Sequence, residues 1–340
     1  MQYQKIIISR TDGIGDVILA LPMAGLLKEL FPECEIIFLA KSYTKAVVET
    51  CKHIDLFVAW DELEKLGEER AAEELNKLQA DVIIHVFPRK SIAEIAKKAQ
   101  IPLRIGTSSR YYHWGTCNRL VSLSRRRSTA HEAQLNLKLL ISLGAKKKYE
   151  WSEIAQYYGF SKVKPLPNPY LQLIDKDKFN LLIHPCSKGS AREWGFRNYR
   201  KLLEILPKDQ FKIFISGTAA EELILKNEIL HYFPEVIDLT CKLTLEELIS
   251  FLANIDGVFA ASTGPLHLGA ALGKYAWGVY APMRPIHPGR WAPIGTHASF
   301  FVKDKYCSKC RKSKRCECIE SITPEEVKMK IMDSIKQKNI

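Results

Sequence analysis

Two hydrophobic periods alternate along this chain. Short apolar runs of strand length occupy Lys5-Ile6-Ile7-Ile8-Ser9 and residues 35–40, 56–60 and 81–86, and between them lie segments of helical period at 17–30, 43–51 and 63–78. Continuous apolar runs predict strands buried on both faces, and their alternation with helices predicts a parallel sheet covered on both sides. A polar, proline-bearing stretch at 162–169 interrupts the series. The grammar then restarts, with strands at 179–184, 211–216 and 257–261 and helices at 199–206, 220–231 and 244–253. Thr323-Pro324-Glu325-Glu326 carries the cap, proline and acidic first turn that start a last helix, running to about residue 336. The pattern therefore predicts two doubly wound α/β domains, residues 1–165 and 166–322. A terminal helical segment, 323–340, is expected to pack back toward the first domain. A crevice between two such domains is the ordinary place for a ligand.

A chain of 340 residues suits two domains, and 46% hydrophobic residues are enough to build their cores without staples. No apolar run approaches the roughly 20 residues that span a bilayer, and the start lacks a basic region followed by an apolar leader. A cytoplasmic protein is expected on these grounds, and nine cysteines, an odd number, fit reduced thiols there better than a disulfide framework. The net charge of +12 predicts an anionic partner: a phosphorylated substrate, a membrane surface or nucleic acid. Nucleic acid is disfavoured, because no reader motif accompanies the charge.

Candidate chemistry sits where strands end. After the first strand come Arg10-Thr11-Asp12-Gly13-Ile14-Gly15-Asp16, a glycine-bearing turn that leaves Asp16 at a helix start. There the carboxylate either caps free N–H groups or acts as a base. The turn lacks the third glycine of a dinucleotide fingerprint, which argues against an NAD-dependent oxidoreductase. In the second half, residues 262–267, Ser-Thr-Gly-Pro-Leu-His, can present backbone N–H groups to phosphate, with His267 on the first turn. Taken alone, a histidine there reads first as a buried core residue satisfied by a carbonyl. The loop 185–194 carries Lys188 and Arg192, suited to a diphosphate, and Glu221 and Glu222 follow a strand where a carboxylate binds ribose hydroxyls or charges a helix N-terminus. Asp175-Lys176-Asp177 has the spacing of a metal-binding DxD but precedes a strand, so it reads as a solvated turn.

The ordered set of Asp12-Gly13-Ile14-Gly15-Asp16 with Leu21-Pro22, the His184-Pro185 loop with Arg192 and Trp194, and residues 262–273 resembles glycosyltransferase family 9, over nearly the whole chain. That family includes the ADP-heptose:lipopolysaccharide heptosyltransferases. The resemblance implies the α/β GT-B fold: two Rossmann-like, doubly wound domains facing a central cleft, the first binding acceptor and the second a nucleotide-sugar donor. It implies an inverting, metal-independent transfer of heptose from ADP-heptose to a lipopolysaccharide inner-core acceptor, with no further cofactor. A family 9 enzyme using another nucleotide sugar is the alternative. Asp16 matches the catalytic base, and Arg192 matches a phosphate-binding residue that is lysine in many members. Thr263, Gly264 and His267 match diphosphate contacts, Ser187 and Lys188 the phosphate loop, Glu221 or Glu222 a ribose ligand, and Leu243 the adenine wall. Ser262 stands where several heptosyltransferases carry an aspartate for sugar hydroxyls, and a neutral hydroxyl accepts fewer and weaker hydrogen bonds.

Gly15, Arg104, Arg110, Arg125 and Arg126, together with Tyr111, Tyr112, Arg119 and Arg127, are candidates for contact with an acidic, lipid A-linked acceptor. Peripheral contact with the cytoplasmic face of the inner membrane would suit a basic enzyme without an anchor. Cys307, Cys310, Cys316 and Cys318 supply enough thiolates for a structural zinc, and similar cysteine-rich segments occur near the end of many family members.

Overall fold

The computed structural model describes residues 3–126, 128–303 and 316–336. The chain divides into two compact units, Met1–Lys162 and Val163–Ile340. Among the described residues each unit carries one six-stranded sheet. The first holds β1 (Lys5–Ser9), β2 (Glu35–Ala40), β3 (Leu56–Ala59), β4 (Val82–His85), β5 (Leu103–Thr107) and β6 (Arg119–Val121), in the order β3-β2-β1-β4-β5-β6. The second holds β7 (Phe179–His184), β8 (Phe211–Ile215), β9 (Ile237–Asp238), β10 (Gly257–Ala261), β11 (Tyr275–Val279) and β12 (Ala298–Phe301), in the order β12-β11-β10-β7-β8-β9. Every pairing is parallel. Both sheets are therefore wound 3-2-1-4-5-6, and the winding reverses beside β1 in one and β7 in the other. Loops leaving the two strands at such a reversal diverge, which opens the crevice where open α/β sheets bind ligands.

The apolar runs read from the sequence form the sheet centres, and β1, β2, β7 and β10 coincide with their predicted spans. Two inner strands were hidden in the pattern by glycine. In β5 a Cβ on Gly106 would lie 2.6 Å from His113 Nδ1 and 2.7 Å from Cys117 Sγ, and in β11 one on Gly278 would lie 2.5 Å from the Tyr280 ring. Glycine is there because a neighbour fills its side-chain space. The edge strands β6, β9 and β12 are short and lack a long apolar run.

Helix lengths also differ from the pattern. The predicted helix 17–30 is two, Ile14–Ile18 and Pro22–Leu30, because Pro22 has no N–H to continue the first and serves as the first residue of the second. The predicted helix 63–78 breaks into Trp60–Lys65 and Glu68–Lys77 at Gly67, whose φ is +80°. The terminal helix Pro324–Lys336 buries Val327 and Ile331 in the core of the second unit and lies against the Phe196–Ile205 helix. Its apolar stripe thus serves the second unit, and Tyr275 OH donates to the Ser334 carbonyl at 3.0 Å.

Helix Pro22–Leu30 carries the residues just behind the β1 loop and packs closely on the chain at Tyr157. A Cβ on Gly25 would stand 2.3 Å from the Tyr157 carbonyl oxygen, a backbone atom that cannot swing aside. Gly25→Ala is expected to lower stability by about 1–3 kcal/mol through this overpacking. An unchanged urea midpoint would show that the two segments can separate at no cost.

Candidate functional site

At the reversal in the first sheet, β1 ends at Ser9 and the chain turns through Arg10 to Gly13 into the helix Ile14–Ile18. Gly13 is the N-cap and supplies no side-chain bond, while Asp16 in the first turn directs its carboxylate to the Arg10 guanidinium. Arg10 is 2% exposed, and each of its three nitrogens has an acceptor. Its Nε donates to Asp12 Oδ1 at 2.7 Å, its Nη2 to Asp16, and its Nη1 to Glu132 Oε1 at 2.9 Å and Asn136 Oδ1 at 3.2 Å. Glu132 and Asn136 lie on the helix Glu132–Lys138, and Arg125 donates to the same pair at 2.7 and 2.9 Å. Asn136 Nδ2 closes the assembly on the Leu19 carbonyl at 2.9 Å. Two guanidinium forks thus bracket a buried glutamate, and one of them fixes Asp16.

Burial pushes the Asp16 carboxyl up to about 6, with Arg10 pulling the other way and Asp12 and Glu132 adding to the rise. A carboxylate in that range accepts a proton more readily than a solvated aspartate and still ionises near neutrality. Its side chain keeps 28% exposure, so a substrate can reach it. The Tyr43 hydroxyl donates to the Asp12 carbonyl at 2.8 Å, and burial raises its pKa, with Asp12 and Asp16 adding. On the other side of the reversal, His85 of β4 pairs in register with Ser9. It is fully buried, and burial, then His113 and Arg104, depress its pKa to about 3, so it stays neutral inside the sheet.

The predicted acceptor residues divide by environment. Gly15 is next to Asp16 on its short helix, and Arg110 and Arg126 are exposed. Arg104 is committed to backbone carbonyls, of Thr116 at 2.7 Å and of Ile101. Arg125 is committed to Glu132 and Asn136. These two arginines hold the first unit together at points where free binding groups were expected.

At the reversal in the second sheet, β7 and β10 are neighbours, and their loops carry most of the candidate donor residues. The β7 loop is braced from within. The Ser187 N–H and hydroxyl donate to Glu193 Oε1 at 2.8 and 3.0 Å, and Lys188 and Gly189 both adopt left-handed backbone, φ +49° and +79°. Ser187 therefore shapes the loop, Lys188 projects from it exposed, and Arg192 is half-buried. Trp194 anchors the far end, fully buried, with its indole N–H donating to the Ile322 carbonyl at 2.8 Å. His184 Nδ1 meets Ser216 Oγ at 3.0 Å, and burial lowers its pKa.

After β10, Thr263 is the N-cap of the helix Gly264–Ala271, and its side chain makes no bond to the first N–H groups. Thr263 Oγ1 turns back to the Ala261 carbonyl at 3.2 Å, which leaves the positive helix end to another acceptor. His267 is buried one turn along this helix. Ser262 is half-buried, and the buried Tyr280 hydroxyl donates to the Trp291 carbonyl at 2.6 Å. After β8, Glu221 is 7% exposed: Oε2 caps the N–H and hydroxyl of Thr218 at 2.8 Å each, while Oε1 has no partner among the described residues. One oxygen thus caps the turn while the other stays buried without a hydrogen-bond partner among the described residues. Glu222 is exposed and Leu243 half-buried. In the candidate DxD, Asp175 Oδ1 accepts the Asp177 N–H at 3.0 Å, the bond of a turn. Cys316 is buried and Cys318 half-buried, while Cys307 and Cys310 lie outside the described residues.

Arg10, Glu132, Asn136 and Tyr43 were not singled out in the sequence. The available clue was Arg10 itself, a cation directly after a wholly apolar strand, where burial demands anionic partners.

The model of the glycosyltransferase family 9 (heptosyltransferase) family matches residues 68–319, well over half the chain. The lipopolysaccharide core heptosyltransferase OpsX of Haemophilus influenzae is 24% identical over 311 residues, which is 88% of this chain and 86% of that one. A family 9 glycosyl transferase structure from Veillonella parvula aligns with a TM-score of 0.79 at 17% identity, covering 99% of this chain and 98% of that one. The E. coli heptosyltransferase WaaC, solved with ADP, aligns at 0.73 and 18% identity, covering 97% and 100%. The shared fold is the α/β GT-B type. Asp16 precedes the residues that the family model matches, so its role rests on its own surroundings.

Proposed function

The chain belongs to glycosyltransferase family 9, and from that membership we propose that it transfers heptose from ADP-heptose to the inner core of lipopolysaccharide, with inversion and without a catalytic metal. The observation that carries this reading is Asp16, reachable by substrate, clamped by Arg10 and raised to about 6. An acceptor hydroxyl gives its proton to Asp16 as its oxygen forms a bond to the anomeric carbon, and the bond from that carbon to the diphosphate breaks on the opposite face. ADP leaves with the bonding electrons. Lys188, Arg192, His267 and the first N–H groups of Gly264–Ala271 stabilise the leaving charge, preorganised by the braced loop and the N-cap. Glu221 Oε1 receives a ribose hydroxyl, and Leu243 borders the adenine. ADP as the nucleotide is supported by the fold shared with WaaC, whose structure contains it. The acceptor class is supported by the relationship to OpsX. An acceptor carried on lipid A places the work at the cytoplasmic face of the inner membrane.

The test is incubation with a panel of nucleotide sugars and truncated lipopolysaccharide acceptors, without added divalent cation, read by product mass and anomeric configuration. Gain of one heptose from ADP-heptose, with inverted configuration, is the expected result. Transfer from a different nucleotide sugar alone would keep the family and overturn the substrate.

A further inference from the structure

We propose that the segment between β5 and β6 is a docking surface for a bilayer containing anionic phospholipid. This deepens the reading above and rests on it for the lipid-linked acceptor. Tyr111 is 80% exposed and Trp114 69%, unusual for aromatic side chains of this size. The Trp114 N–H donates to the Tyr111 carbonyl at 3.1 Å, so the two are one helical turn apart and share a face. Neither ring is loosely attached. The Trp114 indole N–H is held by the Ser108 carbonyl at 3.0 Å, and Tyr111 packs edge-on against Tyr112, with centroids 5.5 Å apart. Underneath, His113 and Cys117 are buried against Gly106, which fixes the turn to the sheet. The inward side is core and the outward side is aromatic.

Charge selects the partner. Between Glu94 and Glu132 the sequence contains no acidic residue but eight lysines and arginines. Of these, Arg110 is exposed next to Tyr111, and Lys97 donates to the Gly115 carbonyl at 2.9 Å, which sets its ammonium beside Trp114. The Ser108 N–H bonds to the Val121 carbonyl at 3.0 Å and draws in the end of β6, with exposed Arg119 and Leu120. Amphipathic rings flanked by cations, on a segment whose own sequence carries no acidic residue, match a headgroup layer: the rings enter the interface while the cations meet lipid phosphate. The surface does not resemble an ordinary protein contact, whose core is depleted of charge.

The full-length protein is mixed with vesicles of phosphatidylcholine alone or with phosphatidylglycerol, free of lipopolysaccharide, and partition is read by sedimentation. Binding only to the anionic vesicles, weakened by salt, is expected. Arg110→Ser is expected to lower it about fivefold, the effect of one cation near such a surface. Brominated lipid should quench a tryptophan signal that Trp114→Ala removes, since Trp60, Trp194 and Trp277 are buried and Trp151 and Trp291 half-buried. Equal partition onto neutral vesicles, or quenching that survives Trp114→Ala, would overturn the proposal. A second arm compares transfer to a deacylated, water-soluble acceptor and to the same acceptor in anionic vesicles. Trp114→Ala should lose rate only in the vesicles; equal loss on both makes the patch a sugar-binding surface and ends the docking claim. Failure of wild-type transfer to every soluble acceptor, with vesicle binding intact, would count against the substrate assignment and leave the surface standing.

Discussion

Asp16→Asn is expected to lower kcat by about 10²–10⁴, the usual contribution of a positioned general base, with ADP affinity unchanged. Loss of both together would mean that the substitution damages the fold. In the wild-type enzyme kcat/KM should fall about tenfold per pH unit below about 6, because only the ionised carboxylate accepts the proton. A second signature separates a strained base from a structural ion pair. The folded carboxyl sits at about 6 against an ordinary 3.8, so the folded state holds this proton more tightly than the unfolded chain. Its contribution to stability is greatest below pH 4 and is lost as pH rises through 6, on the order of 2–3 kcal/mol. Asparagine does not ionise, and Arg10 keeps Asp12 and Glu132 as partners. The stability of Asp16→Asn relative to wild type should therefore climb between pH 4 and pH 7. A relative stability that instead drops over that interval would identify Asp16 as a stabilising partner of Arg10 and remove the case for a base.

The sequence made the double winding legible because a parallel strand buried on both faces is a continuous apolar run, and β1, β2, β7 and β10 are such runs. It hid β5 and β11 because each run is interrupted by a glycine whose side-chain space is filled by a neighbour in the fold: Gly106 makes room for His113, and Gly278 for Tyr280 and Leu266. The position of Asp16 could also be read locally, from strand, turn and helix start. Its state could not, since the groups that set it include Glu132, contributed by a helix more than a hundred residues later. The arginines show the same limit. Arg104 and Arg125 look like Arg110 in composition, yet two of the three are consumed by the unit's own carbonyls and carboxylate. Only long-range geometry distinguishes a structural guanidinium from an available one.

Trp194→Ala is expected to cost about 3–5 kcal/mol of stability. The indole is fully buried, edge-on to Tyr199 at 5.0 Å and to Phe259 at 5.2 Å, so truncation leaves a cavity walled by aromatic side chains that cannot collapse into it. Its N–H also holds the Ile322 carbonyl at 2.8 Å, directly before the terminal helix Pro324–Lys336. Trp194→Phe restores most of the packing but not this bond, and should recover all but about 1–3 kcal/mol. The functional consequence follows from chain order. Arg192 is two residues before this anchor and the Ser187–Glu193 brace lies in the same loop, so loosening Trp194 disperses the groups proposed for the diphosphate. In Trp194→Phe, under conditions where the protein remains folded, the donor KM should rise more than kcat falls, because ground-state binding to a less ordered loop is lost along with transition-state contacts. Equal kinetics in the two proteins, with the stability difference present, would confine Trp194 to the core and detach the loop's order from the proposed phosphate site.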